Sequence, residues 1–348
     1  MKNVPNIFFS VIIAIFCSEV MAGRSGGESV ERERAGEIPL IILDADIPSS
    51  TDDLFALQML YKYADAGKCR LLGVVVDREG TSGAEIVDIM NTYYGYSNIP
   101  IGLVRDGIES PQVWIDYSPL PLHVTSVGER MFRRTLNDYE NLPDGWILYR
   151  RILAEQPDHS VSICSVGFVT ALAQLLQSEP DEYSPLNGVE LVRRKVKAIY
   201  VMGGVFGKAV EPDYNFGQGV SFAQTYFQLW PKDVDMLFSP GEVGDGVEYP
   251  VEQVLADYAW DECHPIRQVY QAYNCNTGQK MWDPMAVIHA VEGDTVFQLS
   301  ERGNVVITPQ AETIFTPSAN GNCRYQIPGS NEWNRMMLQK IRYSSKKD

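Results

Sequence analysis

The sequence predicts an α/β fold: a single large domain built on a mostly parallel central β-sheet flanked by helices, with a helical excursion towards the C-terminus. Three observations lead to it. Short apolar runs alternate with segments of helical periodicity from residue 39 to about residue 240. Strands such as 70–76 and 196–201 are separated by helix-length segments, which calls for a mostly parallel sheet covered on both faces. The 348 residues suffice for one large core, and neither a Ser/Gly linker nor an internal repeat divides them.

In chain order, residues 39–46 form an apolar run that ends in acid, the first expected strand. Leu54, Leu57, Leu60, Tyr61 and Ala64 then recur at helical spacing across 51–64. A strand at 70–76, a helix at 84–94 and a strand at 99–104 follow. After a long connection through Pro111, Pro119 and Pro121 come a helix at 146–155, a strand at 160–166 and a helix at 169–177. The strand at 196–201 runs into Met202-Gly203-Gly204, and a helix at 220–229 precedes a strand at 234–238. The C-terminal part adds helices at 251–258, 266–273 and 284–291, then short strand-like pieces at 305–308 and 313–315. Ligands of such folds gather outside the carboxyl ends of the strands, so acids at strand exits are the first candidates for a site.

Lys2, the apolar run at 7–16 and the small residues Ala22 and Gly23 describe a secretory signal peptide over residues 1–22. An exported protein, periplasmic or extracellular, is the consequence. Residues 23–38 are rich in Gly, Ser, Glu and Arg and read as a flexible lead-in, which leaves 39–348 as the folded domain. No later stretch approaches the ~20 apolar residues of a membrane helix, so no stable membrane insertion is expected. A net charge of -16 repels polyanions and excludes nucleic acid as a natural partner. It suits a divalent cation or a neutral small molecule. Of the 6 Cys, Cys17 leaves with the leader. Cys69 and Cys164 read as buried apolar residues, and Cys263 with Cys275 is the pair that invites a disulfide.

The chemistry concentrates in Asp44, Asp46, Asp52 and Asp53. Asp44 and Asp46 point to the same side of an extended strand. Thr51 is placed to cap the following helix, with Asp52 and Asp53 in its first turn, where free amides favour negative charge. The helix alone accounts for two of these acids but not for Asp44 and Asp46. Carboxylates so crowded repel one another unless protonated or neutralised by a cation, and a hard divalent ion takes oxygen ligands. Calcium is preferred to magnesium because its larger coordination number accommodates a substrate diol. A haloacid-dehalogenase-type phosphatase also opens on Asp-x-Asp, but it needs a later Lys constellation that does not emerge here.

With this cluster, Val201-Met202-Gly203-Gly204, Asp213-Tyr214-Asn215-Phe216 and Trp282-Asp283-Pro284, the chain resembles the inosine-uridine-preferring nucleoside hydrolases over about residues 39–306. These enzymes use calcium to cleave the N-glycosidic bonds of ribonucleosides. The resemblance implies a calcium ion held by Asp46, Asp53, Asp283 and the backbone carbonyl of Val166. It gives Asp46 the further role of base towards the attacking water. Asp52 and Asn215 then bind the sugar hydroxyls, Met202 lines the ribose pocket, and Asp213, standing where Glu is usual, faces the 5′-hydroxyl. Asp44 orders the other carboxylates from behind.

Besides Asp213, three positions depart from the family pattern. Trp282 stands where His often protonates the leaving base; it stacks on a purine instead. Ala171 replaces a common Asn, and Gly219 lies where an acid is often seen. The leaving-group acid is open among Tyr214, Tyr226, His123 and His264, while His289 reads as structural. Calcium-assisted hydrolysis of small-molecule nucleosides, purines preferred, by a homodimer or homotetramer is therefore expected. The alternatives are a calcium-dependent nucleoside or sugar binder and a hydrolase of another N-ribosyl compound.

Overall fold

The alternating segments fold in chain order as β1 (Leu40–Ala45), α1 (Asp52–Asp65), β2 (Arg70–Val76), α2 (Ser82–Tyr93), β3 (Ile101–Leu103), α3 (Gly145–Glu155), β4 (Val161–Ser165), α4 (Thr170–Gln177), α5 (Gly188–Lys195) and β5 (Val196–Met202). Then come α6 (Tyr214–Gly217), α7 (Val220–Leu229), β6 (Asp235–Ser239), α8 (Gly241–Asp245), β7 (Glu248–Tyr249), α9 (Val251–Asp257), α10 (Pro265–Ala272), β8 (Gln279–Lys280) and α11 (Trp282–Glu292). The chain finishes with β9 (Gly303–Ile307), β10 (Thr313–Pro317), β11 (Cys323–Tyr325) and α12 (Asn331–Ser344). This computed structural model describes residues 38–107, 115–207, 210–273 and 275–347. The expected signal peptide, and the lead-in up to residue 37, lie outside the described residues.

Among the described residues, nine strands form one sheet in the order β10-β9-β11-β6-β5-β4-β1-β2-β3. From β3 to β11 every neighbouring pair is parallel, and β9 and β10 add an antiparallel edge. The chain winds outward from β1 through β2 to β3, then returns to place β4, β5 and β6 on the other side. The order reverses between β1 and β4, and that is where such sheets open a ligand crevice.

Side chains of β1 alternate between the two faces. Ile41 and Leu43 join the core that includes Leu54, Leu57 and Leu60 of α1 together with Met285 and Ile288 of α11. Ile42 joins the core on the other face, with Leu148 of α3 and Leu172 of α4. Both faces are dry, which is why β1 and β2 read as near-continuous apolar runs.

Several local expectations change. Thr51 does not cap α1 with its side chain. Its hydroxyl instead pairs with Tyr270 Oη at 3.0 Å and donates to Gln279 Oε1 at 3.2 Å. Cys263 and Cys275 are free thiols rather than a disulfide: Cys263 is exposed and Cys275 is buried, directed at the Val269 carbonyl. The helical excursion also carries the small β7–β8 pair, and the chain then returns to the main sheet through β9, β10 and β11. Among the described residues, no helix is long and apolar enough to cross a membrane.

Candidate active site

Two helix N-termini converge at the crevice: α1 brings Asp52 and Asp53 in its first turn, and α11 brings Asp283. Their amide ends favour negative charge there. Ligand oxygens from these three buried carboxylates all lie within 4.8 Å of one another. Asp52 is the anchored member. Ser50 Oγ and Gln279 Nε2 donate to its Oδ1, the latter at 3.2 Å, and the Asp283 amide donates to Oδ2 at 3.3 Å. Asp53 is the opposite case: both oxygens are buried, and among the described residues neither has a hydrogen-bond partner.

Burial, reinforced by like charges nearby, pushes the Asp53 and Asp283 carboxyls well above the usual range. Burial raises Asp52 to about 6 against the opposing hydrogen bonds from Ser50 and the Asp283 amide. A dry carboxylate without donors is satisfied by a cation. The all-oxygen donor set of Asp52, Asp53 and Asp283 therefore fits a hard divalent ion.

Asp46 leaves the end of β1 and lines the same cavity, but its partner is a cation of the protein itself. Arg78, just beyond β2, donates from Nη2 to Asp46 Oδ2 at 3.2 Å and from Nε to the Asp46 carbonyl at 3.0 Å. Burial raises the Asp46 carboxyl and the guanidinium opposes that rise. The strand ends between Asp44 and Asp46, at Ala45, and Asp44 has partners of its own. Asp44 is fully buried, accepts from Tyr149 Oη at 2.8 Å, and receives the Val166 and Gly167 amides at its backbone carbonyl. It thus couples the ends of β1 and β4. Gly167 is required there, because an added Cβ would meet the Asp46 nitrogen at 2.4 Å.

The second group of expected residues closes the other wall. Asn215 Nδ2 donates to the Val166 carbonyl at 3.0 Å and contacts Met202 through its carbonyl and its sulfur. Val166, Met202, Asp213 and Asn215 therefore line one cavity of about 420 Å³ with Asp46, Asp52, Asp53, Trp282 and Asp283. Asp213 has a second duty. It accepts from the Phe216 amide at 2.9 Å, capping α6, and from the Gly204 amide at 2.8 Å. Gly204 sits at φ 84, where a side chain is strained. Burial raises the Asp213 carboxyl to about 6 in spite of these amides.

Trp282 stands at the mouth, where Nε1 donates to the exposed Asp245 at 3.0 Å. Of the candidate leaving-group acids, only Tyr214 reaches the cavity. His264 is buried, accepts the Ile266 amide at Nδ1, and meets Tyr94 Oη at 2.9 Å. His123 stacks on Tyr273, and Tyr226 is sealed in the core. His289 is structural, held between Gln326 and Asp294.

Arg78, Ser50, Gln279 and Asp245 are the residues that sequence reasoning passed over. Arg78 had a usable signal, since it follows the exit of the strand beside β1. Gln279 and Asp245 had none in their local pattern.

No curated protein matches the sequence. Among solved structures, a plant nucleoside hydrolase superposes with a TM-score of 0.64 at 14% identity, covering 88% of this chain and 99% of that one. A purine-preferring ribonucleoside hydrolase from Gardnerella vaginalis gives 0.63 at 13% identity, again over 88% and 99%. The type III effector protein XopQ, complexed with adenosine diphosphate ribose, gives 0.63 at 16% over 91% and 98%. At these identities the likeness establishes the α/β fold. Family assignment comes from the sequence: residues 41–334 match the profile of one family, and the chain belongs to the inosine-uridine preferring nucleoside hydrolases.

Proposed function

We propose that this chain hydrolyses the N-glycosidic bond of ribonucleosides, purines preferred, with calcium as its cofactor. One observation carries the reading furthest: Asp53 is buried, with both oxygens lacking a hydrogen-bond partner among the described residues, beside Asp52 and Asp283, in the cavity that also holds Asp46 and Asn215. Asp53, Asp283, Asp46 and the Val166 carbonyl are the residues to hold calcium, with Asp52 close enough to join them. When bound, the ion supplies charge that polarises water and sugar hydroxyls.

The remaining steps belong to side chains. Asp46, gripped by Arg78 through one oxygen, has the other with which to accept a proton from the attacking water. Asn215 spends its amide nitrogen on Val166 and Met202, leaving its carbonyl oxygen to accept from a sugar hydroxyl. Asp52 accepts from a second hydroxyl. As the glycosidic bond stretches, positive charge grows on the sugar, and the surrounding carboxylates offset it. Trp282 stacks on the departing base. Asp213 acts chiefly by holding Gly204 and α6, so the 5′-hydroxyl is a secondary contact.

A second reading, a nucleoside binder without efficient turnover, is favoured by one feature. Among the described cavity residues there is no His, and Tyr214 is the neutral proton donor closest in kind to a leaving-group acid. The XopQ complex with adenosine diphosphate ribose suggests the ligand to include. Chromatographic assay of free base from purine and pyrimidine nucleosides, with calcium or with chelator, separates the readings. Calcium-dependent release supports hydrolysis. Calorimetric binding of nucleosides or adenosine diphosphate ribose without release supports the binder. We further propose export, which N-terminal sequencing of protein secreted from a native-leader expression strain tests.

A further inference from the structure

A permanent cation stands behind a site built to receive another. Arg78 is 3% exposed on its side chain and its guanidinium carbon lies 5.1 Å from the centroid of the Phe168 ring. It grips one residue twice, at the Asp46 carbonyl and at Asp46 Oδ2. Neither Arg78 nor Phe168 lines the cavity, so the guanidinium acts on Asp46 from behind.

Two effects follow from general chemistry. A planar fork that binds main chain and carboxylate of the same residue fixes that carboxylate's rotamer, which a single-point ammonium does not do. A guanidinium never loses its proton in a protein, so its charge always offsets one of the assembled carboxylates. That lowers the pull of the cluster on any divalent ion.

We propose that Arg78 is a positioning residue that exchanges calcium affinity for a fixed Asp46. The turnover half of this inference rests on the hydrolysis proposed above; the calcium half does not.

The test uses the full mature chain, with Arg78→Gln and Arg78→Lys compared by calcium calorimetry and by steady-state kinetics. In R78Q the charge is gone, and calcium binds about fivefold tighter or better. Its kcat falls about 10- to 100-fold while KM stays within about threefold, the scale of losing an outer partner of a reacting group. R78K keeps the charge but not the fork. Its calcium affinity stays within about twofold of the parent while kcat still falls about tenfold. Calcium binding in R78Q that is unchanged or weaker overturns the charge half. A kcat within about twofold of the parent overturns the positioning half. If R78Q does not fold, R78K decides: calcium affinity away from the parent's, or a kcat equal to it, overturns the inference. Should the parent release no base while R78Q still binds calcium more tightly, hydrolysis fails and the charge inference stands. A parent that binds no calcium overturns both.

Discussion

Asp53→Asn reverses the stability order of two proteins according to whether calcium is present. Its carboxylate lies within 4.8 Å of ligand oxygens on both Asp52 and Asp283. At an effective dielectric of ~20, each such like-charge pair costs about 3.5 kcal/mol. Removing one member of the trio cancels two pairs, about 7 kcal/mol with all three ionised. Proton uptake relieves much of this in the parent, at ~1.4 kcal/mol per pKa unit. In chelator, D53N should therefore be more stable by about 2–3 kcal/mol, a rise of roughly 4–8 °C in Tm. In calcium the parent regains the lead, because an ion at a thousand times its Kd contributes about 4 kcal/mol, and D53N has lost a ligand whose two oxygens have no other partner. Differential scanning calorimetry in chelator and in millimolar calcium reads both orders. A D53N melting below the parent in chelator, or gaining as much from calcium, would refute the reasoning.

The remaining predictions concern other parts of the chain. Trp282→Ala should lower kcat/KM for purine nucleosides about tenfold, the value of one aromatic stack, and spare pyrimidines; equal loss for both would remove Trp282 from base recognition. His264 is held neutral by burial, its pKa lowered from 6.5 to about 3. The unfolded chain binds that proton more readily, so this contribution to stability is complete above pH 6.5 and declines by ~1.4 kcal/mol per unit as pH falls towards 3. Urea midpoints of His264→Gln should fall less than the parent's between pH 7 and 5; an equal fall would contradict the neutral imidazole. Arg150 is fully buried, paired with Asp181 at 2.6 Å and donating to the Ser184 and Leu186 carbonyls. Arg150→Met should cost about 3 kcal/mol or more, read as a lower urea midpoint, and a loss under ~1 kcal/mol would show the network to be dispensable.

The parallel sheet was legible because both of its faces are dry. Strand β2 at Arg70–Val76 carries no polar side chain after Arg70, and a periodicity of 3.6 marks α1 through Leu54, Leu57 and Leu60. Shorter or more polar elements were not. Helix α5 is recognisable only once the capping box of Asn187 and Glu190 is noticed, and its last turn of Arg193, Arg194 and Lys195 hides the apolar stripe of Leu191 and Val192. Strand β11 is too short to show a period, and its neighbours in space are far away in sequence.

The site divides in the same way. Asp46, Asp52 and Asp53 announced themselves by crowding and by position at a strand exit and a helix start, whereas Asp283 was marked only by the family resemblance of its motif. Their division of labour depends on distances that no local pattern encodes. Asp52 rather than Asp46 joins Asp53 and Asp283 in the tight trio, while Asp46 pairs with Arg78. Asp213 lines the cavity, and no local pattern showed that two backbone amides, nine and three residues away, also hold its oxygens. The candidate acids His123, Tyr226 and His264 were chosen by residue type, and packing removed each of them.

The most direct measurement compares the parent with Asp46→Asn on the best nucleoside substrate at saturating calcium. The variant should fold and bind calcium, melt within a few degrees of the parent, and release free base about a thousandfold more slowly, as the loss of a general base requires. Release by D46N at a rate close to the parent's would contradict the assignment of the chemistry to this carboxylate.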